Sequence, residues 1–209
     1  MPSRSNIGEK VRTMKKLILT MTGVLVLLTS ASAQSRLFLS IGANRISPAD
    51  AAYRSIYGNQ VLYPELAVAI RMVGGLCLTG SFGQFVKNGT TPDLGLETRA
   101  KQSYITMGIG YLHRISSFFC VEAGAGVAAL KFREDALDSQ VEGQKGGLMA
   151  EGGAFFMPEE GTGFFLGLKL GFLSAKVNDI ASDVVGSQPV HLGGFKISVS
   201  IGIQLFGNR

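Results

Sequence analysis

The stretch that most constrains this chain runs from Gly193 to Phe206 and reads GGFKISVSIGIQLF. Ile197, Val199, Ile201, Ile203 and Leu205 share one parity, and Lys196, Ser198, Ser200, Gly202 and Gln204 share the other. Side chains alternate faces along a strand, so the segment has one apolar face and one polar or small face. A half-buried sheet of a soluble protein shows the same alternation. Three observations favour a bilayer instead. The apolar face has no polar break over five positions. The run has the length of a bilayer-crossing strand, roughly 9–11 residues. It closes on an aromatic, Phe206, almost at the C-terminus.

The opposite end reads as an export signal. Lys15 and Lys16 precede an apolar run from Leu17 to Leu28, followed by Thr29-Ser30-Ala31-Ser32-Ala33. A basic region, a short apolar region and an A-x-A site make a signal peptide, with cleavage expected after Ala33 and Gln34 first in the mature chain. The apolar run is too short for a helix that crosses a bilayer, which needs about 20 residues. Met14 is an alternative start, because MKKLILTM is an ordinary leader opening. The +5 net charge is concentrated in this leader. Removing Arg4, Lys10, Arg12, Lys15, Lys16 and Glu9 leaves 15 basic against 14 acidic residues, a net of +1. No basic patch remains to support nucleic-acid binding.

Residues 34–209 then read as one domain of eight strands. Strand one is expected at Arg36 to Arg45, two at Tyr63 to Val73, three at Leu76 to Lys87 and four at Gln102 to Ile115. Five is expected at Phe118 to Phe132, six at Gly147 to Met157, seven at Gly163 to Lys176, and the closing strand at Gly193 to Phe206. Gly74-Gly75, Ser116-Ser117 and Pro158 to Thr162 are short turns; both glycines tolerate the positive φ of a tight hairpin. Ile46 to Leu62, Asn88 to Lys101, Arg133 to Gly146 and Val177 to Leu192 are longer polar connections. The alternation of long and short connections puts both termini and the short turns at one end. That pattern predicts an all-β fold: an eight-stranded antiparallel up-and-down transmembrane β-barrel. No helix-period segment of any length competes with it.

The charged parity must face inward. Arg71, Glu122, Glu151, Lys169 and Lys196 are therefore expected to form a paired, structural network in the lumen, since isolated buried charges are expensive. Eight strands enclose little more than side chains, so no wide pore is expected. Tyr111, Phe118, Phe119, Phe155, Phe156 and Phe206 near the short turns, and Tyr63 and Tyr104 near the long connections, are candidates for two aromatic girdles. Cys77 and Cys120 form no CxxC pattern, and with two histidines no metal or cofactor site is expected. The cysteines fall on strands two apart, about 10 Å, beyond the reach of a bridge unless both side chains point into a narrow lumen and the backbone is distorted, and they read as small semi-buried residues.

Leader, strand count, loop alternation and the closing strand with its terminal aromatic resemble the OmpA/OmpX-like family of small outer-membrane barrels. The likeness covers Arg36 to Phe206 and is architectural. Members usually end on the aromatic itself; here Gly207-Asn208-Arg209 follow, with no peptidoglycan-binding domain after strand eight. The resemblance implies insertion into outer-membrane lipid by the barrel-assembly machinery. It also implies a non-enzymatic role in envelope integrity, adhesion through an extracellular ligand of the loops, or minor solute passage. Three alternatives differ from this. A lipid-modifying barrel enzyme needs a nucleophile, a base and an orienting group. His113 and His191 are the only such bases, the second with Ser187 and Asp183 upstream, and no H-x-S pattern surrounds it. An accessory barrel of a secretion system has the same sequence signature. A soluble periplasmic lipocalin-like binder reverses the two faces.

Overall fold

The computed structural model describes residues 36–92, 95–136, 139–157, 163–177 and 190–205. The expected signal peptide, the Pro158–Thr162 turn, Phe206 and most of the last long connection lie outside the described residues. Eight strands follow one another: β1 (Arg36–Pro48), β2 (Val61–Arg71), β3 (Leu76–Thr90) and β4 (Glu97–Arg114), then β5 (Phe119–Ala136), β6 (Ser139–Phe156), β7 (Gly163–Val177) and β8 (Val190–Leu205). Each pairs antiparallel with its neighbour in sequence, and β1 closes the barrel against β8 from Leu37↔Leu205 to Pro48↔Gly194.

The period-two pattern of the sequence sets which face is exposed. Ile105, Met107, Ile109 and Tyr111 on β4, and Phe164, Leu166, Leu168, Leu170 and Phe172 on β7, are all exposed. On β8, Ile197, Val199 and Ile201 are exposed while Lys196, Ser198, Ser200 and Gln204 between them are buried. Even Gln84, polar on the outward parity of β3, faces out.

The strands run well past their apolar segments. Most of the expected Asn88–Lys101 and Arg133–Gly146 connections is strand, with β4 and β5 paired from Thr98↔Ala136 down to Arg114↔Cys120. Polar residues interrupt the membrane pattern there. The ladder hydrogen bonds of a hairpin continue regardless, because water covers its outer face. The short ends behave as their glycines require. Gly74 (φ 72°) and Gly75 (φ 90°) turn β2 into β3, and the Met72 N–H donates to Leu76 O at 2.7 Å.

One element is not a strand. Within the expected Ile46–Leu62 connection lies a short helix, α1 (Ala51–Tyr57). Asp50 caps it, its carboxylate accepting from the Tyr53 N–H at 2.9 Å, which satisfies one of the orphan donors of the first turn. Tyr53 and Tyr57 lie one helical turn apart and point the same way, into the barrel mouth. Two residues at that spacing are too few to stand out as a helical period in sequence.

Candidate functional site

Among the described residues, buried charged and polar side chains converge in the barrel interior. It is built in three layers. At the mouth, Ile46, Val61, Tyr63, Phe85, Tyr104, Leu130 and Phe132 from the wall pack with Tyr53 and Tyr57 of α1. Tyr53 packs tilted at 35° against Tyr57, ring centres 4.6 Å apart, and meets Phe132 edge-on at 6.4 Å. At the short-turn end, Phe38, Cys77, Leu112, Cys120, Phe155, Met157 and Phe165 form a second apolar plug. Between the plugs lies the charge.

Lys169 Nζ sits 3.0 Å from Glu151 Oε1 and 3.5 Å from Glu122 Oε2. Lys196 Nζ sits 3.0 Å from Glu65 Oε2 and 3.5 Å from Glu151 Oε2. Glu151 thus bridges the two ammonium groups. Glu65 further accepts from the Tyr104 hydroxyl at 2.5 Å and the Ser81 hydroxyl at 3.3 Å. Lys169 also lies over the Phe155 ring, 5.5 Å from its centre. Three carboxylates face two ammonium groups, and every one of the five side chains is mostly buried. A cavity of about 40 Å³ borders the cluster, lined in part by Ser40, Ser81, Thr106, Glu122 and Lys169. It has room for a few water molecules, each needing roughly 10–15 Å³.

Four of the five residues expected in a lumen network therefore come together: Glu122, Glu151, Lys169 and Lys196. Arg71 does not join them. It lies half-buried at the last position of β2, opposite Arg36, and takes no part in the cluster's ion pairs. At a strand end a long side chain has water within reach and no need of a buried partner. Glu65 takes the place instead. Its inward parity is visible in sequence, but its nearness to Lys196, 131 residues away, is not.

The aromatic girdle expectation is corrected at three positions. Tyr63, Tyr104 and Phe155 are 4%, 1% and 5% exposed and pack inside the barrel. Each sits on the inward parity, so the pleat and not the aromatic character decides its face. Tyr111, Phe118, Phe119 and Phe156 do face outward. Cys77 and Cys120 form no disulfide, and both are buried in the short-turn plug.

The histidines stand apart from the charge cluster. His113 faces outward and stacks on Tyr111 at 6.4 Å. His191 is exposed at the mouth, where its backbone N–H donates to Asp50 Oδ2 at 3.1 Å. Among the described residues neither imidazole makes a hydrogen bond or an ion pair. Ser187 and Asp183 lie outside the described residues.

Burial holds the Tyr53 and Tyr57 phenols above the usual tyrosine range. The Glu134 carboxylate adds to this, by its charge at Tyr53 and by accepting the Tyr57 hydroxyl at 2.6 Å. That bond ties α1 to β5. The Ala49 N–H donating to Gly193 O at 3.0 Å ties its leading end to β8.

No sequence-family model matches the chain and no curated protein is detectably similar. Solved structures do match. The outer membrane protein OprG from Pseudomonas aeruginosa aligns with a TM-score of 0.65 at 14% identity, over 85% of this chain and 99% of that one. The N-terminal β-barrel domain of OprF from the same organism gives 0.54 at 12% identity, over 82% and 98%. Ail, the attachment invasion locus protein of Yersinia pestis, solved with the heparin analogue sucrose octasulfate, gives 0.53 at 14% identity, over 82% and 99%. What these proteins share with this chain is its architecture, the fold of the small eight-stranded outer-membrane β-barrels.

Proposed function

We propose that the protein is an integral outer-membrane barrel, non-enzymatic and closed, that meets its surroundings through the mouth carrying α1 and the long hairpins. The observation that carries this is the inversion of its faces: a continuous apolar exterior around an interior of paired charges. An exterior of that kind loses free energy in water over its whole area and is at rest only against hydrocarbon. In the periplasm it would be a large exposed apolar patch. The same inversion speaks against a lipocalin-like binder, whose interior is apolar.

Export follows from the leader, with cleavage after Ala33, and insertion is the task of the barrel-assembly machinery. The lumen residues Glu65, Glu122, Glu151, Lys169 and Lys196 have a structural role, locking the wall across β2, β5, β6, β7 and β8. With apolar plugs on both sides of that lock, solute passage is disfavoured against contact at the mouth. The short turns lie on the periplasmic side, and the long hairpins β3–β4 and β5–β6 reach outside the cell.

The test is the mobility of the protein from an outer-membrane fraction on a detergent gel, with and without boiling. A membrane-embedded band that shifts only on boiling, with Gln34 at its N-terminus, is the expected result. A periplasmic protein with no shift would overturn the proposal.

A further inference from the structure

Above the apolar wall, charge is distributed unevenly around the barrel. On β4 the outward parity runs Tyr111, Ile109, Met107, Ile105, Ser103 and then Lys101 and Arg99. On β5 it runs Val127, Ala129 and then Lys131 and Arg133. The two strands place these residues side by side, with Lys101 opposite Arg133 and Ser103 opposite Lys131. The first charges met on leaving the wall here are therefore cations, on adjacent strands.

Acidic residues begin in the row of Lys101 and Arg133, where Glu142 lies opposite Arg133, with Asp135 opposite Arg99 in the next. Arg133 Nε lies 3.0 Å from Asp135, and Glu142 lies 3.8 Å from both Arg133 and Lys131. These are exposed pairs of the weak kind, open to exchange. Glu97 lies further along β4, beyond Arg99. Among the described residues Arg99 and Lys101 are in no ion pair, and both are exposed.

Directly below the cations, the outer surface has low relief. Ala129 faces Gly146, Ala125 faces Ala150 and Ala123 faces Gly152, with Val127 and Leu148 the only larger pair between them. Bulkier rows flank the strip: Ile105, Met107 and Ile109 on β4, and Leu168, Leu170 and Phe172 on β7.

On the outer-membrane placement proposed above, we infer that the outward faces of β4, β5 and β6 form a seat for a phosphorylated glycolipid of the outer leaflet. The charges complement each other. Such a lipid carries its phosphates at the level where the apolar wall ends, beside Lys131 and then Lys101 with Arg133, and Arg99 lies one step further out. Guanidinium and ammonium groups both suit phosphate, Arg by paired hydrogen bonds and Lys as a point charge. Several acyl chains descending from one headgroup need a strip of low relief to lie side by side, and β5–β6 provides one. Elsewhere among the described residues the outward parity at this level carries isolated charge, such as Arg45 on β1.

The test uses the mature barrel in zwitterionic detergent. Native mass spectrometry would compare a bisphosphorylated, multiply acylated glucosamine disaccharide with its dephosphorylated form. The bisphosphorylated lipid is expected to be retained and the dephosphorylated lipid to bind far more weakly. Two interfacial cations are worth about 30-fold in affinity, so an Arg99→Gln/Lys101→Gln variant should lose about that factor. Arg45→Gln should lose nothing. Equal retention of both lipids, wild-type retention by the double variant, an equal loss in Arg45→Gln, or displacement by millimolar inorganic phosphate would each overturn the inference. Boiling-dependent gel mobility, run on every sample, separates the two levels. A wild-type protein without the shift refutes the outer-membrane placement; one that shifts but ignores the phosphates refutes only the lipid seat.

Discussion

Removing Lys196 tests whether the interior charges hold the barrel together. Its Nζ lies 3.0 and 3.4 Å from the two oxygens of Glu65 and 3.5 Å from Glu151. The three side chains are 5%, 6% and 9% exposed, so solvent screens them little. Lys196→Met keeps the length and apolar stem and deletes only the charge. Glu122 and Glu151 then share the one remaining ammonium group, Lys169, which forms no ion pair with Glu65. Glu65 retains only the Tyr104 and Ser81 hydroxyls. Breaking a buried pair by removing one partner costs about 3–5 kcal/mol, because the other charge stays buried. A second variant isolates the pair. Lys196→Met with Glu65→Gln removes both charges and keeps an acceptor for Tyr104, so the double variant should cost about 2–3 kcal/mol less than the sum of the singles. The exposed Lys131, 3.8 Å from Glu142, is the control: Lys131→Gln should cost less than about 1 kcal/mol. The assay is urea unfolding in phospholipid vesicles, read by the folded and unfolded gel bands. A Lys196→Met cost below about 1 kcal/mol, or strict additivity in the double variant, would refute the claim that these pairs are desolvated and bear on stability.

Three further outcomes follow from other parts of the molecule. The phenols of Tyr53 and Tyr57 are held above the ordinary value of 10.0, so the mouth favours their protonated form. Their contribution is complete below about pH 10 and is lost as pH rises through the higher folded value, so α1 should detach only in strong alkali. Tyrosinate absorbance, clean in a chain without Trp, would show this as a high-pH step that Tyr57→Phe diminishes; ionisation of all tyrosines at the ordinary value would contradict it. Leu166→Arg, on a side chain 57% exposed to the bilayer, should destabilise by about 2–4 kcal/mol in vesicle unfolding, and an unchanged midpoint would argue against hydrocarbon there. Gly126→Val puts a side chain against Met107 O and the Gly108 backbone across the β4–β5 ladder. It should abolish the folded gel band, and a wild-type yield of that band would show that the strands can separate.

The strand count and the two faces of the wall were legible because period two follows from the pleat alone. Ile105, Met107 and Ile109 against Thr106, Gly108 and Gly110 need no partner to declare their sides. The same rule places Tyr63 and Tyr104 inside, whatever their aromatic character. Strand lengths were less legible. From Arg133 to Gly146 the residues are polar on both faces, and a hairpin standing in water leaves no alternation to read.

What the sequence determined by itself is therefore the kind of wall: eight strands, apolar out, charged in, turning in sequence order. Which inward groups meet is set only by the closure of the barrel. Contacts across a closed barrel depend on its stagger, which accumulates over all eight strands and is written in no single segment. That stagger brings Lys196 to Glu65, leaves Arg71 at the rim, and sets Tyr53 and Tyr57 of α1 over the charged layer as its cover. It also aligns Lys101 with Arg133 on the outside, where two unremarkable strand ends become one cationic edge.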